Sequence, residues 1–253
     1  MITNSLVLSS IAITMLLICF HGSAGLAANP SKGPICDVTA DHYLAIEDYP
    51  AAIRLHRALL QKQPANALAH YHLGFAYGMR GDEMRELNEY QRAIALRLSS
   101  WDLFLNAGVA FLANGNLVAA TDALQHAVRL GPNQAESHYN LGLVYERRDM
   151  LPEAEQEMRS TLRIEPEELD AKNMLGIIYA RQGKKAEASV QWSALLHEAP
   201  DYSQARTNLA ILEGEAVEGH KQAFAHAAAI LSFPMPSARG CTQRDRLCAP
   251  SNP

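Results

Sequence analysis

Histidine is the residue type here with the broadest chemistry, since the 253-residue chain contains ten and imidazole both transfers protons and binds metals. His70 and His72 are two residues apart, and on a helix that spacing directs the side chains to different sides. His220 and His226 are also badly spaced for one helical face. The sequence has no HExxH, GxSxG or phosphate-loop motif. We therefore expect no metal, no cofactor and no catalytic residues.

The cysteines suggest a different kind of chemistry. Cys241 and Cys248 flank the short segment TQRDRL, and close pairs tend to form disulfides in an oxidising compartment. We predict a disulfide between these two residues. Cys36 is then free, paired between chains or paired with one of the other two. The spacing is not that of a zinc knuckle.

The first 28 residues favour export. They contain no Asp, Glu, Lys or Arg, and an apolar run over residues 6–20 precedes the small residues GSAGLAA. This pattern is typical of a secretory signal, with cleavage between Ala24 and Ala28. The alternative is an uncleaved membrane anchor, and contact with a membrane is expected only in that case. We expect an exported protein, periplasmic or secreted, with a linker over residues 29–38.

Composition excludes one class of partner. The net charge is −5, the isoelectric point is about 6.1 and 48% of the residues are hydrophobic. These values are ordinary for a globular protein, and there is no basic excess to attract nucleic acid.

A constant interval of 34 residues organises most of the chain. It separates three sets of residues: Gly74, Gly108, Gly142 and Gly176; Tyr77, Phe111, Tyr145 and Tyr179; Pro132, Pro166 and Pro200. A fixed period of this length predicts a solenoid of helical repeats. With the glycine at position 8, the units are 33–66, 67–100, 101–134, 135–168, 169–202 and a terminal 203–232.

Each unit reads as two helices. Positions 4, 7, 8 and 11 share one face of the first helix, and glycine at position 8 lets the second helix approach closely. The second helix carries a small residue at position 20 and a bulky one at position 24. Between the two helices lies a turn containing Gly81, Gly115 or Gly183, and proline at position 32 ends the second helix.

This pattern resembles the tetratricopeptide repeat over about residues 33–236. The resemblance implies an all-α, right-handed superhelix of about five helix pairs over residues 39–232, with a capping pair over 203–232. We expect a disordered tail over residues 233–253. The second unit departs from the pattern at Glu86 and Leu98, and Ser100 is expected to cap the following helix.

The resemblance also implies a concave groove, lined by the first helices, that binds an extended peptide or a partner's helix. Position 6 carries Asn106, Asn140 and Asn208, and Asn173 adjoins Met174 at the same position of the fifth unit. Amides can both donate to and accept from a peptide backbone. The row is similar to the asparagine ladder of O-linked N-acetylglucosamine transferases. The alternative is that asparagine is merely tolerated at this position.

Three aromatic residues supplement these amides. Tyr71, Phe75 and Tyr139 lie at positions 5 or 9, beyond what the internal pattern needs. On a concave surface they would form an apolar floor for a ligand. The alternative for Phe75 is packing against the next repeat.

Together these features predict a non-catalytic scaffold that binds a protein or peptide in its groove, outside the cytoplasm. Two alternatives stay open: a membrane-tethered assembly factor for a pilus, secretion or envelope complex, and an accessory subunit of a carbohydrate- or cell-wall-active enzyme. The identity of the partner and the oligomeric state are not determined by the residues.

Overall fold

Eleven α-helices, and no strands, make up residues 37–214, the part of the chain that the computed structural model describes. The helices are α1 (Val38–Ala45), α2 (Tyr49–Lys62), α3 (Ala67–Gly78), α4 (Glu83–Ala95), α5 (Trp101–Ala113), α6 (Leu117–Leu130), α7 (Ala135–Arg147), α8 (Leu151–Ile164), α9 (Leu169–Arg181), α10 (Lys185–Glu198) and α11 (Ser203–Glu213). They form five consecutive pairs and one further first helix, α11, which confirms the predicted all-α repeat superhelix.

Short polar side chains begin several of these helices. Asp48, Asn66, Asp82 and Asn116 each accept a hydrogen bond from the backbone N–H three residues further on, which satisfies one of the free donors of the first turn. Ser100 precedes α5 but makes no such side-chain bond. Ser100 is nevertheless the N-cap residue, as expected, with extended backbone and a carbonyl that accepts from the Phe104 N–H.

The prolines at position 32 follow the ends of the second helices. Helix α6 ends at Leu130, two residues before Pro132, and Pro166 and Pro200 follow α8 and α10 in the same way. Proline disfavours helical geometry at the residue before it. Where the second unit has Leu98 instead, α4 is followed by Arg97 with a φ of +64°.

Position 15, between the two helices of a unit, requires left-handed backbone. Gly81, Gly115 and Gly183 adopt φ angles of +73° to +77°, a region that glycine enters without steric cost. In the first and fourth units Glu47 and Asp149 adopt φ angles of +61° and +60° at the same position. The turn geometry is thus kept even where its preferred residue is missing.

The contact between position 8 and position 24 sets the distance between paired helices. A Cβ atom at Gly74 would lie 2.7 Å from the Tyr90 ring, and one at Gly108 would lie 2.5 Å from Leu124. Because such separations are shorter than van der Waals contact, no side chain fits at these positions unless its partner moves. Gly142 and Gly176 make the equivalent contacts with Met158 and Trp192.

Glu86 shows how the second unit accommodates a carboxylate where most other units have alanine. The place that a Cβ atom of Gly78 would take is filled by the Glu86 carboxylate. Burial raises the pKa of Glu86 to about 7, opposed by a hydrogen bond with Tyr90. The substitution at position 20 is therefore matched by a glycine at position 12.

The buried side chains form two apolar clusters that meet at α5. One extends from Leu44 to Ala110, and the other from Leu105 to Ala205. Helix α5 contributes Leu103 to the first and Leu105 to the second. It is the central element of the described repeats.

Several predictions lie outside residues 37–214. They concern the leader at 1–28, most of the linker, the second capping helix, the tail, and the disulfide between Cys241 and Cys248. Among the helices of the described part, none has the length and apolar character that crossing a bilayer requires.

We expect Gly176→Ala to destabilise the protein more than Gly142→Ala. The new methyl group would meet the Trp192 indole, which is fixed by a hydrogen bond to Asn173, whereas at Gly142 it meets the mobile terminal methyl of Met158. Overpacking typically costs about 1–3 kcal/mol, and alanine regains about 1 kcal/mol of helix propensity. Chemical denaturation should therefore show a lower free energy of unfolding for Gly176→Ala and little change in it for Gly142→Ala. Equal losses would contradict this account of the contact.

Candidate functional site

The amide row that the sequence predicts, Asn173 at position 5 and the other asparagines at position 6 of the first helices, is largely buried. Asn173 is 1% exposed and accepts hydrogen bonds from Trp192 Nε1 at 3.0 Å and from Asn208 Nδ2 at 3.1 Å. Asn140 is buried and donates to the Glu136 carbonyl of its own helix at 2.8 Å. These three amides are used inside the protein and do not form a row at its surface.

Asn106 differs from the other amides. It is half-buried and donates to the Tyr71 hydroxyl oxygen at 2.9 Å, while that hydroxyl donates to Asp102 Oδ2 at 3.1 Å. Its side-chain oxygen accepts no hydrogen bond from the described residues. An acceptor on this part of α5 is therefore available to a ligand.

The aromatic candidates divide in the same way. Tyr71 and Phe75 are 5% and 8% exposed and belong to the first apolar cluster. Tyr139 is half-buried, and its hydroxyl has no hydrogen-bond partner among the described residues. Burial, followed by the charges of Asp170 and Glu168, raises the pKa of Tyr139. The Tyr139 hydroxyl is thus a buried, unsatisfied polar atom, and the exposed part of this side chain is apolar.

Helix α5 has a partly accessible face. Asp102, Asn106, Val109 and Ala113 follow one another at intervals of four, three and four residues, which places them on one face. The first three are half-buried and Ala113 is exposed. By contrast, α3 is buried over most of its length. The α5 face is thus more accessible than the corresponding face of α3.

Acidic side chains occupy position 2 in three consecutive units. Asp102, Glu136 and Asp170 are 34 residues apart, and all three are half-buried. Asp170 accepts a hydrogen bond from the Tyr202 hydroxyl. Carboxylates in a first turn also stabilise a helix through its dipole. These three carboxylates form a column of negative charge along this side of the solenoid, which we call the acidic column.

A pocket of about 690 Å³ lies elsewhere, at the turn between the two helices of the second unit. Pro50, Ile53, Tyr77 and Arg85 contribute to its lining. Of the groove candidates that the sequence indicates, none lines this pocket.

Position 4 carries a buried polar pair in alternate units. His70 Nδ1 lies 2.5 Å from Glu89 Oε2, and His138 Nδ1 lies 2.6 Å from Glu157 Oε2. The second ring nitrogen of His138 lies 3.1 Å from the Pro132 carbonyl oxygen. The hydrogen bond to Glu157 raises the pKa of His138, against the opposing effect of burial. Each pair joins the two helices of its unit, and its role is structural.

A second polar cluster lies in the first repeats and was missed by the sequence reasoning. Asp41, His56 and His72 come from α1, α2 and α3 and are 5%, 1% and 2% exposed. Asp41 Oδ1 lies 2.7 Å from His72 Nδ1 and 3.7 Å from His56 Nε2. Burial, reinforced by His72, lowers the pKa of His56 to about 4. His56 occupies position 24, which carries apolar or aromatic residues in the following units.

The paired helices and the half-exposed face of α5 define a helical-repeat scaffold. The sequence pattern of the tetratricopeptide repeat matches residues 38–83, 87–135, 119–168 and 139–203, and the chain belongs to this family.

Solved structures agree with this assignment. YrrB, described as a tetratricopeptide repeat protein with an unusual peptide-binding site, is similar at 21% identity and a TM-score of 0.64, covering 66% of this chain and 87% of YrrB. A MamA structure is similar at 25% identity and a TM-score of 0.61, and the match covers 67% of this chain and 99% of the MamA chain. MamA from Desulfovibrio magneticus RS-1 is similar at 20% identity and a TM-score of 0.60, and the match covers 65% of this chain and 93% of the MamA chain. A search among curated proteins found no match.

The His138 pair should make stability depend on pH. Because the folded pKa is raised, the contribution is fully present below the unfolded value of about 6.5 and is lost as pH rises through the folded value. We expect His138→Gln to cost about 1–3 kcal/mol near pH 6 and less in alkaline buffer. Urea unfolding across this range measures the difference, with the exposed His126→Gln as the control. A cost independent of pH would show that the pair acts only as a neutral hydrogen bond.

Proposed function

We propose that this protein is a non-catalytic docking scaffold that binds an extended peptide segment of a partner protein along its concave side. Repeats of this family generally mediate protein–protein interactions. The observation that carries the proposal is the half-exposed face of α5, where Asp102, Asn106 and Val109 adjoin one another. Because the repeats are preformed, the entropic cost of ordering falls on the ligand alone.

Each side chain on this face has a distinct part in the proposed contact. The Asn106 side-chain oxygen accepts from a peptide N–H, which gives affinity without selecting a side chain. The hydrogen bond from Asn106 to Tyr71 fixes the amide orientation. Val109 offers an apolar contact one turn further along the helix.

The acidic column favours a ligand that carries Lys or Arg. Asp102, Glu136 and Asp170 are spaced by one repeat each along the solenoid, and like charges in a cleft raise the local concentration of cations. Binding should therefore weaken as salt concentration rises.

The proposal predicts that Val109→Arg abolishes peptide binding. A long cationic side chain in place of a half-exposed valine would block the α5 face and compete for its carboxylates. Peptides selected from a random display library on the full chain should bind the variant at least about tenfold more weakly, equivalent to 1.4 kcal/mol. The matched control is Val118→Arg, which makes the same change at a residue 63% exposed on α6.

Two results would contradict this proposal. Equal weakening by both variants would show a general charge effect, and unchanged binding in both would place the binding surface away from α5. Thermal unfolding of each variant verifies that the fold is retained.

Export is also part of the proposal, supported by the uncharged apolar segment at residues 6–20. We expect the mature protein from its native host to begin after one of the positions 24–28. Amino-terminal sequencing measures this directly. An intact Met1 in a membrane fraction would instead favour the tethered form.

A further inference from the structure

The first repeat places polar residues where the other repeats place apolar ones. Position 9 carries Phe75, Val109, Leu143 and Ile177 in the second to fifth units but Asp41 in the first. Position 24, which faces position 8, carries His56. His72, at position 6 of the second unit, lies against both. Positions 9 and 24, which are apolar in the following units, thus carry ligating groups here, and a third is supplied by His72.

His56 is the residue whose burial is hardest to explain by protein contacts. It is 1% exposed, and neither ring nitrogen has a hydrogen-bond partner among the described residues. Burying polar atoms without hydrogen bonds costs free energy, and such atoms in a native core call for a reason such as an ion. Two other buried histidines, His70 and His138, each contact a glutamate and a backbone carbonyl.

The geometry of the three side chains is close to that of a metal site. One ligand atom from each of Asp41, His56 and His72 can be chosen so that all lie within 4.8 Å of one another. Tetrahedral zinc with bonds of 2.0–2.1 Å needs ligand atoms about 3.3 Å apart. The His56–Asp41 distance of 3.7 Å is near this value, and the His72–Asp41 distance of 2.7 Å requires a small expansion.

We propose that Asp41, His56 and His72 bind a divalent transition-metal ion such as Zn²⁺. Two imidazoles and one carboxylate suit zinc and its first-row neighbours, whereas Mg²⁺ and Ca²⁺ prefer oxygen ligands. The three protein ligands leave the remaining position to a small group such as water.

The bound ion would join α1, α2 and α3. Asp41, His56 and His72 are contributed one by each of these helices, so the ion links both helices of the first repeat to the first helix of the second. Because an ion that binds only the folded state stabilises it, the site acts as a structural clip at this end of the described repeats.

The test is thermal unfolding of the full chain, stripped with chelator and titrated with Zn²⁺. At about a hundredfold excess over Kd we expect Tm to rise by roughly 5 °C or more, with no rise from Mg²⁺. His56→Leu should abolish the zinc effect, while its metal-free Tm equals or exceeds that of the wild type because an unpaired buried polar group has been removed. His126→Ala, which changes an exposed histidine, should respond as the wild type does.

Two outcomes overturn the proposal. If Zn²⁺ leaves the wild-type Tm unchanged, the cluster is a hydrogen-bonded core contact only. If His56→Leu responds as strongly as the wild type, zinc binds elsewhere, for example at Cys36, Cys241 or Cys248. If His56→Leu fails to fold, Co²⁺ binding to the wild-type protein replaces this test. The wild-type protein must then show the visible absorption of a Co²⁺ ion ligated by nitrogen and oxygen, and Asp41→Asn must lose that absorption.

Discussion

The packing of a glycine against a bulky residue governs this structure. At each of four repeats the helix axes approach until no Cβ atom fits at position 8, and the side chain at position 24 fills the space. Because this contact recurs every 34 residues, it sets the same relation between the paired helices in each of these repeats. The side chains beside this contact can vary from one repeat to the next, and they determine the chemistry of each repeat.

The first repeat shows the consequence of changing that contact. Ala40 takes the position of the glycine and His56 that of the bulky partner, so an imidazole fills a place that elsewhere holds Tyr90, Leu124 or Trp192. A ring of similar size preserves the packing but introduces two polar atoms. The first repeat therefore keeps the shape of the others while altering the chemistry of its core, which is why its polar cluster is a separate feature from the concave face.

The period of 34 was sufficient to predict the fold, because helix ends follow from local residues. Prolines two residues beyond α6, α8 and α10, and left-handed turns at Gly81 and Gly115, act within a few residues of the ends they determine. The site was less predictable because it depends on contacts between repeats. Asn173 reads as a surface amide until its bonds to Trp192 and Asn208 are known, and the approach of Asp41 to His72 joins residues of different repeats.

Alternation between repeats explains why α5 is more accessible than the first helices of the two neighbouring repeats. The second and fourth units share histidine at position 4 and tyrosine at position 5, and their first helices, α3 and α7, are buried over most of their length. Helix α5 lies between them, has Phe104 and Leu105 at those positions, and contributes to both apolar clusters. Its remaining face is half-exposed. A ligand that binds there would contact the one helix through which the packing of the two halves is coupled, so binding would stabilise both clusters together.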